Sequence, residues 1–210
     1  MKTKTFGVFP SFKGGKQELM TLEQYVQVIR NGGVYKDTVL KARNANFVGD
    51  TVSYKEIKKT QAVAAVGATF IGDSHRKEDI KEASGLMVID LDGYENIDEL
   101  DRDFEKLSTD EYTWVVHRSI GGKGLAVIIR INPEKPMESY KGIEEYYHNV
   151  YGIDNTDKQC SNLNRLRFIS YDPNIFVSDI KPVVFKRYPV KKKVVKNMSP
   201  IVFHTDEVGF

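Results

Sequence analysis

Asp90-Leu91-Asp92 is the sharpest chemical feature of the chain, and it closes the apolar run Leu86-Met87-Val88-Ile89. In a strand, residues i and i+2 project from one face, so this spacing sends both carboxylates the same way and Leu91 into the core. Two adjacent anions repel. A hard divalent cation such as Mg2+ or Mn2+, which prefers oxygen ligands, relieves that cost. The competing reading is a pair of exposed acids that cap the following helix.

Ser119-Ile120-Gly121-Gly122-Lys123-Gly124 is the second feature. Glycines let backbone N–H groups approach a phosphate, and Lys123 with Arg118 adds positive charge. It is not a Walker A loop, which needs glycine where His117 stands and Ser or Thr where Gly124 stands. It is not a dinucleotide fingerprint either, because the third glycine is missing. A flexible hairpin with a surface lysine is the plainer alternative. The third feature is Asp154-Asn155-Thr156-Asp157, followed by Asn164-Arg165-Leu166-Arg167-Phe168. Strand alternation places Arg165 and Arg167 on one face, where their donor forks suit a phosphate or a carboxylate. A surface ion-pair pattern competes with that reading. Cys160 reads as a buried or incidental thiol. His117, just before the glycine loop, is the histidine best placed to line a site, and His75, His148 and His204 read as surface residues.

These residues need elements to carry them. Lys4–Phe9 reads as an opening strand, and Thr21 with Gln24 as a capping box for a helix with Leu22, Tyr25, Val26 and Ile29 inward. Tyr35–Asn44 reads as a second helix with Val39 and Leu40 inward, Val63–Ile71 as one strand, and Asp73–Glu82 as loop. Gly85–Asp92 reads as a buried strand. A helix from Asn96 or Asp98 follows, with Ile97, Leu100, Phe104 and Leu107 on one face. Tyr112–His117 and Gly124–Ile131 read as antiparallel strands around the glycine loop. Met137–Tyr151 is helical, Leu166–Tyr171 a strand, and Val183–Phe185 a last short strand. The expected fold class is α+β on a mostly antiparallel or mixed sheet. A domain over residues 1–188 is expected, then a basic linker or tail over 189–210 that leads toward a further domain.

Composition narrows the class. The chain has 210 residues with 40% hydrophobic and 29% charged residues, which excludes wholly disordered and low-complexity classes. Its longest apolar runs fall far short of the ~18–20 residues of a membrane span, and one cysteine excludes a disulfide framework. A cytoplasmic protein without a membrane segment is expected. The net charge of +2 hides two opposed stretches: ten acids against Arg102 and Lys106 over Ile89–Glu111, and seven bases without an acid over Lys181–Lys196. They read either as a solvated acidic helix with a basic tail, or as a cation-binding region beside a polyanion-binding surface.

Taken in order, the strand ending Asp90-Leu91-Asp92, the loop Ser119-Ile120-Gly121-Gly122-Lys123-Gly124-Leu125 and the run Arg165-Leu166-Arg167-Phe168-Ile169-Ser170-Tyr171-Asp172-Pro173 resemble the archaeo-eukaryotic primase superfamily. They look specifically like one branch of it, the N-terminal domain of virulence-associated protein E-like replication proteins of bacterial mobile elements. The resemblance covers roughly residues 4 to 185. It implies an RRM-like primase-polymerase core, often joined to a helicase domain, that acts on single-stranded DNA or a primer-template with nucleoside triphosphates. Carried onto this sequence, Asp90, Asp92 and Asp157 would bind two catalytic Mg2+ or Mn2+ ions, with Asp154 the alternative third acid. Ser119, Lys123 and the Gly121–Gly124 backbone would hold the triphosphate. Arg165 or Arg167 would contact nucleotide or template. One departure stands out: the strand Gly124-Leu125-Ala126-Val127-Ile128 lacks the histidine that active relatives carry, and neither Lys123 nor His117 occupies its position. The expected activity is two-metal nucleotidyl transfer. The alternatives are a catalytically silent DNA- or nucleotide-binding module that positions a helicase, and a metal-dependent phosphodiesterase. In either nucleic-acid reading, Lys186–Lys196 would meet a nucleic-acid backbone, and Tyr94, Tyr112 and Tyr171 are candidates for base stacking.

Overall fold

A computed structural model of the chain describes residues 4–189. It opens with β1 (Thr5–Phe9), β2 (Glu18–Thr21), α1 (Leu22–Asn31), α2 (Lys36–Phe47) and α3 (Thr51–Lys59). β3 (Val63–Ala65), β4 (Ala68–Phe70), β5 (Ile80–Ala83) and β6 (Leu86–Leu91) follow. Then come α4 (Ile97–Ser108), β7 (Thr113–Arg118), β8 (Leu125–Arg130) and α5 (Pro136–Tyr151), and finally the short β9 (Arg167–Phe168) and β10 (Phe176–Val177). The fold is α+β, and every named strand pair is antiparallel.

Two four-stranded sheets carry the structure, in the orders β2-β1-β3-β9 and β10-β7-β8-β6, with β4-β5 as a separate ribbon. In the second sheet β6, α4, β7, β8 and α5 follow one another while β8 lies between β6 and β7. Residues 155–157 then return antiparallel along the free edge of β6 through a Leu91–Thr156 bridge. This is split β-α-β connectivity, the arrangement an RRM-like core asks for.

The alternation of β6 explains how the sheet is covered. Met87, Ile89 and Leu91 join the helices α4 and α5 in one core, where Leu100, Leu107, Tyr140, Ile143 and Tyr147 are buried. Leu86 and Val88 face the other way, toward Phe6, Tyr25 and Ile29 of β1 and α1. Each such side chain contributes roughly 1.5–3 kcal/mol on burial, so the pattern fixes which face Asp90 must take. Asp90 and Asp92 share the parity of Leu86 and Val88 and point toward β3, β9 and the α2–α3 hairpin.

Local signals hold at several element ends. Thr21 Oγ1 accepts from the Gln24 N–H at 3.1 Å, and Gln24 Oε1 accepts from the Thr21 N–H at 2.8 Å, which is the expected capping box. Asn96 caps α4 by accepting the Asp98 N–H at 2.8 Å. Other expectations need correction. Val63–Ile71 is not one strand: a turn at Val66-Gly67 splits it into β3 and β4, and the Gly67 backbone lies against Leu163. The stretch 73–82 is not all loop, since β5 pairs with β4 there. Leu166–Tyr171 narrows to β9, and Phe185 makes an isolated bridge to Ile131. α3 was not foreseen at all. Leu40 and Ile97 are exposed rather than inward. The expected tail lies outside the described residues from position 190 on, so only the start of the basic segment can be placed. There Arg187 sits over the rings of Tyr112 and Tyr146 at 5.3 and 4.9 Å and bonds the Tyr112 hydroxyl. No helix among the described residues is long and apolar enough to cross a membrane.

Candidate functional site

The three motifs meet. A cavity of about 160 Å³ is lined by Asp90, Asp92, Asp157, Ser119, Arg165 and Arg167, together with Tyr54 and Lys58 of α3. A second cleft of about 550 Å³ shares Tyr54, Asp92 and Ser119 with it and adds Asn46, Gly121 and Lys123.

Backbone pairing sets the acids. The Asp157 N–H donates to the Asp90 carbonyl at 2.8 Å, and the Asp92 N–H to the Asn155 carbonyl at 3.1 Å. The return strand thereby carries Asp157 to the end of β6. Asp154 is drawn elsewhere: it is exposed and pairs with His148 at 2.5 Å. Of the two alternatives for the third acid, only Asp157 lines the cavity.

The arginines are already engaged. Arg167 forms an ion pair with Asp90, both largely buried, and Asp90 Oδ1 has no directed hydrogen bond beside that contact of charges. Arg165 Nη2 lies 3.0 Å from Asp157 Oδ2. Burial lowers the pKa of Arg167, and Tyr25 opposes that shift by hydrogen bonding to it. Behind Arg167 a polar chain runs into the core. The Nδ1 of His117 faces the Arg118 carbonyl at 2.9 Å, so Nδ1 carries the proton and Nε2 accepts from the Tyr25 hydroxyl at 3.0 Å. Burial pushes the His117 pKa down, which keeps the ring neutral. His117 therefore supports the arginine from behind rather than lining the cavity.

Asp92 differs from its neighbours. Burial of its inner side, followed by the charge of Asp157, raises its pKa, while Lys58 and Arg165 pull the other way. Cys160 is not incidental to the site: its Sγ lies 3.3 Å from Asp90 Oδ2 and 3.6 Å from Asp157 Oδ2, and burial pushes the thiol up to about 12.

The donor chemistry of these acids suits a hard divalent cation, but their arrangement does not. Among the described residues no three His, Cys, Asp or Glu side chains are grouped to hold one ion. Asp90 and Asp157 instead face guanidinium groups.

The glycine loop serves close packing. A Cβ on Gly124 would stand 2.5 Å from Asp92 Oδ1 and 2.7 Å from the Leu91 carbonyl, and one on Gly121 would stand 2.5 Å from the Tyr54 hydroxyl. Gly122 adopts a positive φ of 74° beside Arg43. The Ser119 and Gly122 N–H groups are used within the turn, donating to the Gly124 and Ser119 carbonyls. Those two N–H groups are therefore spent, which leaves fewer of the loop's donors for a phosphate than the expected cradle has. Lys123 is exposed and lines the second cleft, whereas Arg118 is paired with Asp101. Tyr94 and Tyr112 are buried rather than stacking platforms, and Tyr171 lies beneath Lys36 with its ring 5.2 Å from the ammonium.

Sequence reasoning missed the α2–α3 contribution. Asn46 donates to the Gly121 carbonyl at 2.9 Å, and Arg43 to the Ser119 and Tyr171 carbonyls at 3.2 and 2.6 Å. Lys58 lies 5.0 Å from the centre of the Tyr54 ring and 4.7 Å from that of Phe168, and burial lowers its pKa. The periodicity of α3 was the available signal: Tyr54, Ile57 and Lys58 share a face.

The family model described as BT4734-like, N-terminal domain matches residues 55–176, more than half of the chain and all three motifs. The chain belongs to that family. No curated protein and no solved structure matches it.

Proposed function

We propose that this BT4734-like N-terminal domain is the primase/polymerase-like, nucleotide-binding part of a replication protein of the mobile-element type. The observation that carries the reading is the convergence on one cavity of the strand-end acids, the glycine loop and the arginine strand. Those three motifs also carry the resemblance to primases. In this reading a nucleoside triphosphate lies with its phosphates between Lys58, Lys123 and Arg165. The split β-α-β sheet supplies the rigid frame that such positioning demands. The reaction is nucleotidyl transfer to a 3′-hydroxyl. Of the three acids, Asp92 alone shows no ion pair with an arginine among the described residues, so it is the carboxylate this reaction would depend on.

A second reading rests on the Arg167–Asp90 pair. A guanidinium already seated on the first acid suits a catalytically silent module that binds nucleotide or DNA and positions a helicase.

Purified chain supplied with primer-template, labelled nucleoside triphosphates and Mg2+ or Mn2+ separates the two. Metal-dependent incorporation that is lost in Asp92→Asn supports transfer. Triphosphate binding without incorporation under either metal supports the silent module. Incorporation unchanged in Asp92→Asn removes this cavity as the catalytic site.

A further inference from the structure

Two of the three acids in the cavity of about 160 Å³ are neutralised by the chain itself. Arg167 sits on Asp90 Oδ1, and Arg165 Nη2 lies 3.0 Å from Asp157 Oδ2. The Cys160 thiol reaches across both acids, 3.3 Å from Asp90 Oδ2 and 3.6 Å from Asp157 Oδ2. With Lys58 the lining holds three cations against three carboxylates, so its formal charge cancels.

A hard divalent cation binds through carboxylate oxygens that it can reach directly. Here it would first have to displace a guanidinium, and it would stay within Coulombic range of the remaining cations. We infer that Arg165, Arg167 and the Cys160 thiol are built-in counter-groups that keep divalent cations out of the free chain. The two arginines are not held equally. Arg167 is 9% exposed, and opening its pair would strand a buried charge. Arg165 is 38% exposed and Asp157 26%, the kind of pair that water and salt already weaken. Arg165 is therefore the removable latch, and its seat on Asp157 decides whether that acid is open to a cation. The inference goes beyond the proposed function. It concerns the chain with no nucleotide present, and it holds whether or not the chain transfers nucleotides.

The test is titration of the whole chain with Mn2+ alone, followed through the electron paramagnetic resonance signal of the free ion. The wild-type chain is expected to bind no Mn2+ below about 1 mM, the weak end for oxygen-ligand sites. Arg165→Met is expected to bind it about 10- to 100-fold more tightly, and adding Asp157→Asn is expected to abolish that gain. Arg165→Lys keeps the charge and is expected to behave as the wild type does. Arg165 is partly exposed, so its replacement leaves the fold in place, which circular dichroism checks. The wild-type titration stands by itself whatever the variants do. Wild-type binding tighter than about 100 μM that is lost in Asp92→Asn overturns the inference, because the acids would then be open to a cation. An Arg165→Met variant that gains nothing overturns it too. So does an equal gain in Arg165→Lys, which would trace to lost packing rather than to lost charge.

Discussion

The N–H of Asp157 donates to the carbonyl of Asp90 at 2.8 Å, and this one backbone bond turns two distant acidic motifs into neighbours. Because side-chain direction alternates along paired strands, a one-residue slip of the return strand would send Asp157 away from the cavity. The same register sets Arg165 against Asp157, while β9, paired with β3, sets Arg167 against Asp90.

The Asp90–Arg167 pair gives the first prediction. Their side chains are only 13% and 9% exposed, so removing one partner strands a buried charge. Arg167→Met is expected to lower unfolding stability by about 3–5 kcal/mol in urea titrations. The double variant Asp90→Asn with Arg167→Met is expected to recover a large part of that loss, since it leaves no lone charge. Equal destabilisation of the single and the double variant would show that the pair is not what holds β9 to β6.

Asp92 gives a pH prediction of the opposite sense. Its pKa is raised in the fold, first by burial and then by Asp157. The folded state therefore binds its proton more tightly than the unfolded state, and stability falls as pH rises through the folded pKa. Asp92→Asn removes that cost. It is expected to raise the Tm at pH 7 by no more than about 2–4 °C, after screening of a carboxylate open to solvent on one side. The gain should vanish near pH 3, below the unfolded pKa. A gain that persists at pH 3 would trace to something other than the charge.

How much of this could be read beforehand follows from range. β6 announced itself because an apolar run ending in Asp90-Leu91-Asp92 is a local pattern, and the Thr21 capping box is local too. The glycine loop was readable as a hairpin turn but not as packing, because Gly121 and Gly124 are shaped by Tyr54 and Asp92. The Asp154 alternative stayed open in the sequence since the two acids differ only by register. Tyr54 and Lys58 left only a faint local trace, the shared face of a short helix with no buried residue of its own, and they matter through Phe168 and Asp92. His117 was noticed for its place before the loop, while its bond to Tyr25 depends on how α1 packs across the sheet.

Gly124 makes the packing reading testable. A methyl group there meets the Leu91 carbonyl at 2.7 Å as well as Asp92, and backbone cannot swing aside as a side chain can. Gly124→Ala is expected to cost about 1–3 kcal/mol as overpacking and to weaken triphosphate binding by displacing Asp92. Gly49→Ala, whose Cβ would meet nothing within 4 Å but which has a φ of 78°, separates backbone strain from crowding. It is expected to lose stability without losing nucleotide. Calorimetric binding of a triphosphate to both variants decides the matter, and equal weakening would reject the packing account.

Lys58 carries the last prediction. Its ammonium lies against the rings of Tyr54 and Phe168 and lines the cavity of the three acids. A cation so placed is suited to a phosphate, and one charged hydrogen bond contributes about 1.5–3 kcal/mol. Lys58→Met, which keeps the length of the side chain, is expected to weaken triphosphate binding about 10- to 100-fold. Burial lowers the Lys58 pKa, although the charge of Asp92 opposes the shift. The ammonium should therefore lose its proton at a lower pH than a free lysine, and binding should weaken with rising pH before the ordinary lysine value of about 10.4. In Lys58→Arg that alkaline loss should shift upward, because a guanidinium stays charged. A pH profile identical in wild type, Lys58→Met and Lys58→Arg would assign the phosphate to Lys123 and Arg165 instead.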